Sequence, residues 1–175
     1  MSTCFNLDPR HLSPEPLVPP PPLPYVSRRA LARVKNRLPP PTFCPHCWGD
    51  VELVSHTRIY NGREFGNWPY VYLCVDCGAY VGLHPDTDLP LGTLADQDLR
   101  ERRKWAKGRF NVCLVRFFGK HKKEARNRAY AWLAERMRIP LAECHFAMFD
   151  IERCELAAEV CGDALMDGYA HGEPR

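Results

Sequence analysis

The chain has 175 residues, 45% hydrophobic and 26% charged, a length that holds one domain or one domain with a small module. No apolar run approaches the ~20 residues of a membrane span, and the first forty residues lack the continuous apolar stretch of a secretory leader, so a reducing cytoplasm is the expected setting. Net charge is only +3, but Arg100 to Arg128 holds twelve Lys and Arg against two Glu, leaving the rest of the chain at −7, and the nine cysteines cannot all pair as intramolecular disulfides.

In chain order, residues 1–42 carry the runs "LVPPPPLPY" and "RLPPPTF". Proline fixes its own φ and pushes the preceding residue toward extended geometry, so this segment reads as a Pro-rich, basic, largely flexible arm. Within it, "VSRRALARVKNRL" places Leu31, Val34 and Leu38 at helical spacing among Arg28, Arg29, Arg33, Lys35 and Arg37. A short basic helix capped by Ser27 is expected there.

Residues 43–92 read as a β-hairpin module. "VELVSHTRIY" is rich in β-branched and aromatic residues, Asn61-Gly62 is a turn signal, "YVYLC" returns, and "AYVGLH" supplies a third strand. The period then changes. A helix is expected after Asp96 with Leu99, Arg103, Ala106 and Phe110 on one side, and "NVCLVRFF" fits either its continuation or a buried strand, with the helix favoured and Gly119 ending it. "KKEARNRAYAWLAERM" aligns Ala125, Ala129, Trp132, Leu133 and Met137, and Pro140 stops it. A last helix follows Asp150, with Ile151, Cys154, Leu156, Ala157, Cys161 and Leu165 as its apolar set. The helical region spans 93–167, and 168–175 is a tail.

The chemistry sits in two Cys-x-x-Cys pairs, Cys44/Cys47 and Cys74/Cys77. Two residues between cysteines let one tight turn direct both sulfurs at one ion, and a hairpin brings the two turns together. Four thiolates leave a structural zinc no open position. One structural Zn²⁺ is therefore expected, held by these four cysteines and supplying folding energy that a small core lacks. Iron in the same Cys₄ set is the alternative metal. A thioredoxin-like redox pair requires a CxxC opening a helix in a βαβ context, and neither pair has one. The complete Cys₄ set leaves His46 and His56 no role at the metal. Cys113, Cys144, Cys154 and Cys161 read as buried small hydrophobes rather than a second site.

The blocks CPHC at 44–47, CVDCGAYVGLH at 74–84, TDLPLGTLAD at 87–96 and AYAWLAERMRIPLAECHFAMFD at 129–150 resemble a family of small phage and prophage proteins, the zinc-finger-containing domain family, over about residues 43–160. Trp48 departs from that pattern, in which glycine usually follows the first pair. The resemblance implies a phage-encoded zinc protein acting in the host cytoplasm and implies no mechanism.

The expected fold is α+β: a Cys₄ zinc-ribbon hairpin packed on about three α-helices behind the Pro-rich arm. The function expected first is nucleic-acid binding, because Lys and Arg neutralise phosphates. Its candidate contacts are Arg58 and Arg63 on the ribbon and Arg100, Arg103, Lys104, Lys107, Arg109, Lys120, Lys122, Lys123 and Arg126 along the helices, with Trp105 and Tyr130 as stacking candidates. The alternative is a host-takeover or anti-defence protein that binds a host protein through the acidic C-terminal helix. A lesser alternative is a nuclease using His84, Asp86 and Asp88 of "HPDTD", although aspartates beside Pro85 and Pro90 also suit turns. No G-x-S-x-G, P-loop or HExxH motif occurs, so a binding protein is expected rather than an enzyme.

Overall fold

A computed structural model describes residues 6–119 and 123–167. The chain divides into two compact units, Met1–Asp96 and Gln97–Arg175. Its elements are helix α1 (Arg28–Leu31), strands β1 (Val51–Ser55), β2 (Tyr70–Cys74) and β3 (Tyr80–Gly82), and helices α2 (Gln97–Cys113), α3 (Lys123–Met137) and α4 (Ile151–Met166). The α+β expectation holds: one three-stranded antiparallel sheet in the order β1-β2-β3, and four helices.

In the first unit the sheet buries both faces by strict alternation. Tyr72 and Cys74 of β2 and Val81 of β3 join one cluster with Leu83, Leu89 and Leu94. Val71 and Leu73 turn the other way, meeting Val54 and half-buried Ile59 and Tyr80. Register runs from Val51 opposite Cys74 to Ser55 opposite Tyr70. Asn61 and Gly62 do adopt positive φ, 50° and 81°. They turn within an excursion spanning 56–69, however, so β1 and β2 are not joined by a two-residue hairpin.

Within the described part of the N-terminal segment, four apolar side chains pack into the core of the first unit. Leu23, Val26, Leu31 and Val34 are buried and belong to the same cluster as Tyr72, Leu83 and Leu89. Proline removes a backbone donor that a helix or sheet would need, but it leaves side-chain packing intact, so an extended Pro-rich chain can cover a sheet face. Ser27 caps α1 by accepting from the Ala30 amide, as its sequence predicts.

Ion pairing fastens this segment as well. Arg10 lies between two buried carboxylates, with Nη2 2.7 Å from Asp8 Oδ2 and 2.8 Å from Asp88 Oδ1, and Nη1 2.8 Å from Asp88 Oδ2. Tyr25 donates to Asp86 Oδ1 at 2.7 Å, and the Ser27 amide donates to the Asp86 carbonyl at 2.9 Å.

The second unit is helical. Ala125, Ala129, Trp132, Leu133 and Met137 are buried on α3, as their spacing predicts. Helix α2 buries Leu99, Ala106, Phe110 and Cys113, then widens into a π-helical turn at Leu114–Phe118 and ends at Gly119, whose φ is 89°. Asp150 caps α4 through the Arg153 amide. Its buried side is Cys154, Ala157, Ala158 and Cys161, whereas Ile151 and Leu156 are each 39% exposed. Residue 156 lies 200° around the helix from 154, which takes it off the buried stripe. Phe110, Phe146 and Phe149 pack in sequence as tilted rings, with centroids 5.4 and 5.1 Å apart.

Candidate metal centre

Cys44, Cys47, Cys74 and Cys77 converge, with all four sulfurs within 4.8 Å of one another. Cys44 Sγ lies 3.5 Å from Cys77 Sγ, and Cys47 Sγ lies 3.4 Å from Cys74 Sγ. Zinc–thiolate bonds of about 2.3 Å in a tetrahedron place sulfurs about 3.8 Å apart, so the cage has the right size. The first cysteine of each pair is buried and the second exposed.

Each pair is a turn of the same construction. The Cys44 amide donates to the Gly49 carbonyl at 2.9 Å and the Trp48 amide to the Cys44 carbonyl at 2.9 Å. In the second turn the Cys74 amide donates to Ala79 at 2.8 Å and the Gly78 amide to Cys74 at 3.1 Å. The turns also aim amides at sulfur: the His46 amide lies 3.4 Å from Cys44 Sγ. Amides of Cys77 and Asp76 hold the Cys74 thiol down to about 7 against its partial desolvation. Burial pushes Cys44 up, and the amides of His46 and Cys47 oppose it. Such N–H donors favour the thiolate, the form that ligates metal.

Trp48 and Gly78 occupy equivalent places in the two turns, with φ of 63° and 75°. The left-handed backbone that glycine tolerates costs any L-residue with a Cβ about 1–2 kcal/mol. The Trp48 residue is 81% exposed, so packing does not offset that cost. Trp48→Gly is expected to raise the stability of the zinc-loaded protein by about 0.5–1 kcal/mol, after allowing for glycine's freer unfolded chain. Denaturant titration checks this; a loss of stability would show that the indole contributes to the fold.

The neighbouring histidines stay off the cage. His46 Nε2 lies 3.2 Å from the Leu94 carbonyl, and its Nδ1 lies 3.6 Å from Asp96 Oδ2. His56 sits edge-on to Tyr60. Among the described residues, the four cysteines are the one such cluster able to hold a metal. Cys113, Cys144, Cys154 and Cys161 are all buried, and Cys113 Sγ donates to the Cys161 carbonyl at 3.3 Å.

The "HPDTD" loop is a structural hub. Both Asp88 oxygens are held by Arg10, and Asp86, at a φ of 62°, accepts from Tyr25. The His84 carbonyl accepts from the Thr87 amide and hydroxyl at 3.1 and 2.9 Å. A carboxylate clamped by a guanidinium is a poor general base, so this geometry favours the turn role over the nuclease role.

The basic candidates separate by environment. Lys104, Lys107, Lys123 and Arg126 are exposed, and Lys120 and Lys122 lie outside the described residues. Arg103 is half-buried, with Nε donating to the Phe149 carbonyl at 2.8 Å, and Arg100 is half-buried as well. Arg109 Nε donates to the Ala158 carbonyl at 3.1 Å. On the ribbon, Arg58 pairs with Glu52 at 3.4 Å and Arg63 is exposed. Of the two stacking candidates, Trp105 is 47% exposed, while Tyr130 packs against Phe110 with centroids 4.7 Å apart. Sequence reading missed that Val112, and Val115 in the π-helical turn that follows α2, are exposed as Trp105 is. The signal was present as a second apolar stripe at i, i+7 and i+10.

A tetrahedron of thiolates built from two matched turns at one end of a small antiparallel sheet defines a Cys₄ zinc-ribbon protein with one structural zinc. The family model of the zinc-finger-containing domain matches residues 40–164, and the chain belongs to that family. No curated protein and no solved structure matches it. Among the described residues, no helix is long and apolar enough to cross a membrane.

Proposed function

We propose that this zinc protein binds nucleic acid through the solvent-facing sides of α2 and α3. One observation carries the reading: Lys104, Lys107, Arg109, Arg116, Lys123, Arg126 and Arg128 are all exposed, and Glu101 and Glu124 are the only acids in that stretch. Arg103 of the same run is tied to the Phe149 carbonyl and is left out of the contact set, as is half-buried Arg100. In the other unit, exposed Arg63 of the ribbon is a separate candidate contact, and the setting that the family resemblance suggests is a phage protein in the host cytoplasm.

Phosphate contacts release counterions, so affinity should fall steeply with salt. Four contacts predict a loss of about 50- to 150-fold between 50 and 200 mM salt. Reversing Lys104, Lys107, Lys123 and Arg126 to Glu should abolish retention on DNA or RNA and leave the zinc content at one per chain. Filter binding and elemental analysis check the two halves; unchanged retention removes the basic face from the reading.

A second reading rests on α4, where Glu152, Glu155, Glu159 and Asp163 are exposed beside Ile151, Leu156 and Met166. That face suits a host protein with a basic, partly apolar surface. Its complex would survive nuclease and depend less on salt than a phosphate contact does.

A further inference from the structure

Helix α2 points Leu99, Ala106, Phe110 and Cys113 into its unit. At 100° per residue, the opposite side carries Gly108 and Val112, with Trp105 beside them, and Val115 follows in the π-helical turn. Trp105, Val112 and Val115 are 47%, 53% and 47% exposed. The stripe is only shallowly indented. A shallow concavity of about 530 Å³ lies over Gly108, walled by Trp105, Lys104, Arg109 and Val112, with Glu101 at its end. A second of about 390 Å³ continues past Val112 to Val115 and Arg116.

Gly108 has no local justification. A glycine in a helix interior costs about 1 kcal/mol relative to alanine. Elsewhere such a residue admits a neighbouring group: a Cβ at Gly162 would lie 2.5 Å from Arg109 Nη2. A Cβ at Gly108 would meet nothing within 4 Å. The missing side chain therefore keeps open the floor of the concavity. Its wall is prearranged too, because Arg109 stands 5.9 Å from the Trp105 ring centroid while its Nε is tied to the Ala158 carbonyl.

We propose that this groove seats an unpaired base of a single-stranded nucleic acid. The base stacks on Trp105 over Gly108, Val112 contacts its edge, and Lys104 and Arg116 take the flanking phosphates. This rests on the nucleic-acid reading above and narrows its ligand. A duplex would offer phosphates to the basic flanks but no exposed base face to the indole or the valines. Stacking on an aromatic side chain contributes about 1–3 kcal/mol per base, about 5- to 150-fold in affinity.

The test uses the full-length zinc-loaded protein, fluorescence anisotropy, oligo-dT and a duplex of equal length. Oligo-dT should bind more tightly than the duplex. Trp105→Ala removes the platform and Gly108→Leu fills the groove without altering charge. Each should weaken oligo-dT by about tenfold and change duplex binding by less than about twofold. Leucine is a better helix former than glycine, so Gly108→Leu should melt no lower than wild type. If both variants bind oligo-dT as wild type does, the groove is overturned while phosphate binding stands. If wild type binds neither probe, both readings fall. If wild type forms a dimer that Gly108→Leu dissociates, a second copy of the chain occupies the groove and the proposal is overturned.

Discussion

Cys74→Ser is expected to release the metal and unfold the sheet in one step. Cys74 is 1% exposed at the end of the central strand and contributes both a ligand and part of the core. The apparent free energy of structural zinc, ~10–16 kcal/mol at neutral pH, is as large as the net stability of an ordinary domain, ~5–15 kcal/mol. Serine keeps the size of the side chain, but its hydroxyl stays protonated and does not replace a thiolate. Zinc should fall below one per chain by elemental analysis, and amides of Tyr70–Cys74 should lose their exchange protection. Chelation of the wild type should do the same, and acid should release the metal as thiolates are protonated. Cys161→Ser is the control. That sulfur is equally buried but lies outside the cage, so the expected cost is about 1–3 kcal/mol with zinc retained. A Cys74→Ser protein that keeps stoichiometric zinc and a protected β2 would refute the Cys₄ assignment.

Arg10→Met should destabilise the first unit by about 3 kcal/mol. Asp8 and Asp88 are 1% and 5% exposed, and one guanidinium answers both. Removing one partner of a buried pair leaves uncompensated charge, at a cost of about 3–5 kcal/mol; the lower end applies because the Arg10 side chain is 36% exposed. Arg10→Lys should recover little, since an ammonium cannot span two carboxylates with parallel hydrogen bonds. Acid should narrow the difference between wild type and Arg10→Met. The hydrogen bonds from Arg10 hold the Asp8 carboxyl below its ordinary value. That contribution is whole above about pH 4, the unfolded carboxylate value, and fades as pH falls through the lowered folded value. Urea denaturation at neutral and acid pH measures both effects. Equal stability of wild type and Arg10→Met at neutral pH would show that Arg10 does not compensate these charges.

The metal ligands, the three strands, the three long helices and two helix caps were legible because each depends on local spacing. Cys-x-x-Cys constrains a turn on its own, and Ser27 and Asp150 reach amides within three residues. What escaped depends on distant partners. Nothing beside Arg10 in the sequence points to Asp88, seventy-eight positions away. Proline runs signal an extended backbone and are silent on whether Leu23, Val26, Leu31 and Val34 meet a sheet. The aspartates of "HPDTD" look alike as turn formers and as catalytic acids until Arg10 and Tyr25 are placed against them. Val112 and Val115 fall in "NVCLVRFF", whose spacing alone does not tell an exposed side chain from a buried one, and the vacancy at Gly108 shows only in three dimensions.

The way residues 6–39 clothe the sheet bears on how the protein should be produced. The family match begins at residue 40, and a fragment cloned to that limit would shed the covering of Tyr72, Leu83 and Leu89 and orphan Asp88 from its counter-ion. Such a fragment could retain all four thiolates and still precipitate, because a bared apolar face of that kind drives association. Insolubility of the trimmed piece would then report a lost lining rather than a failed metal site.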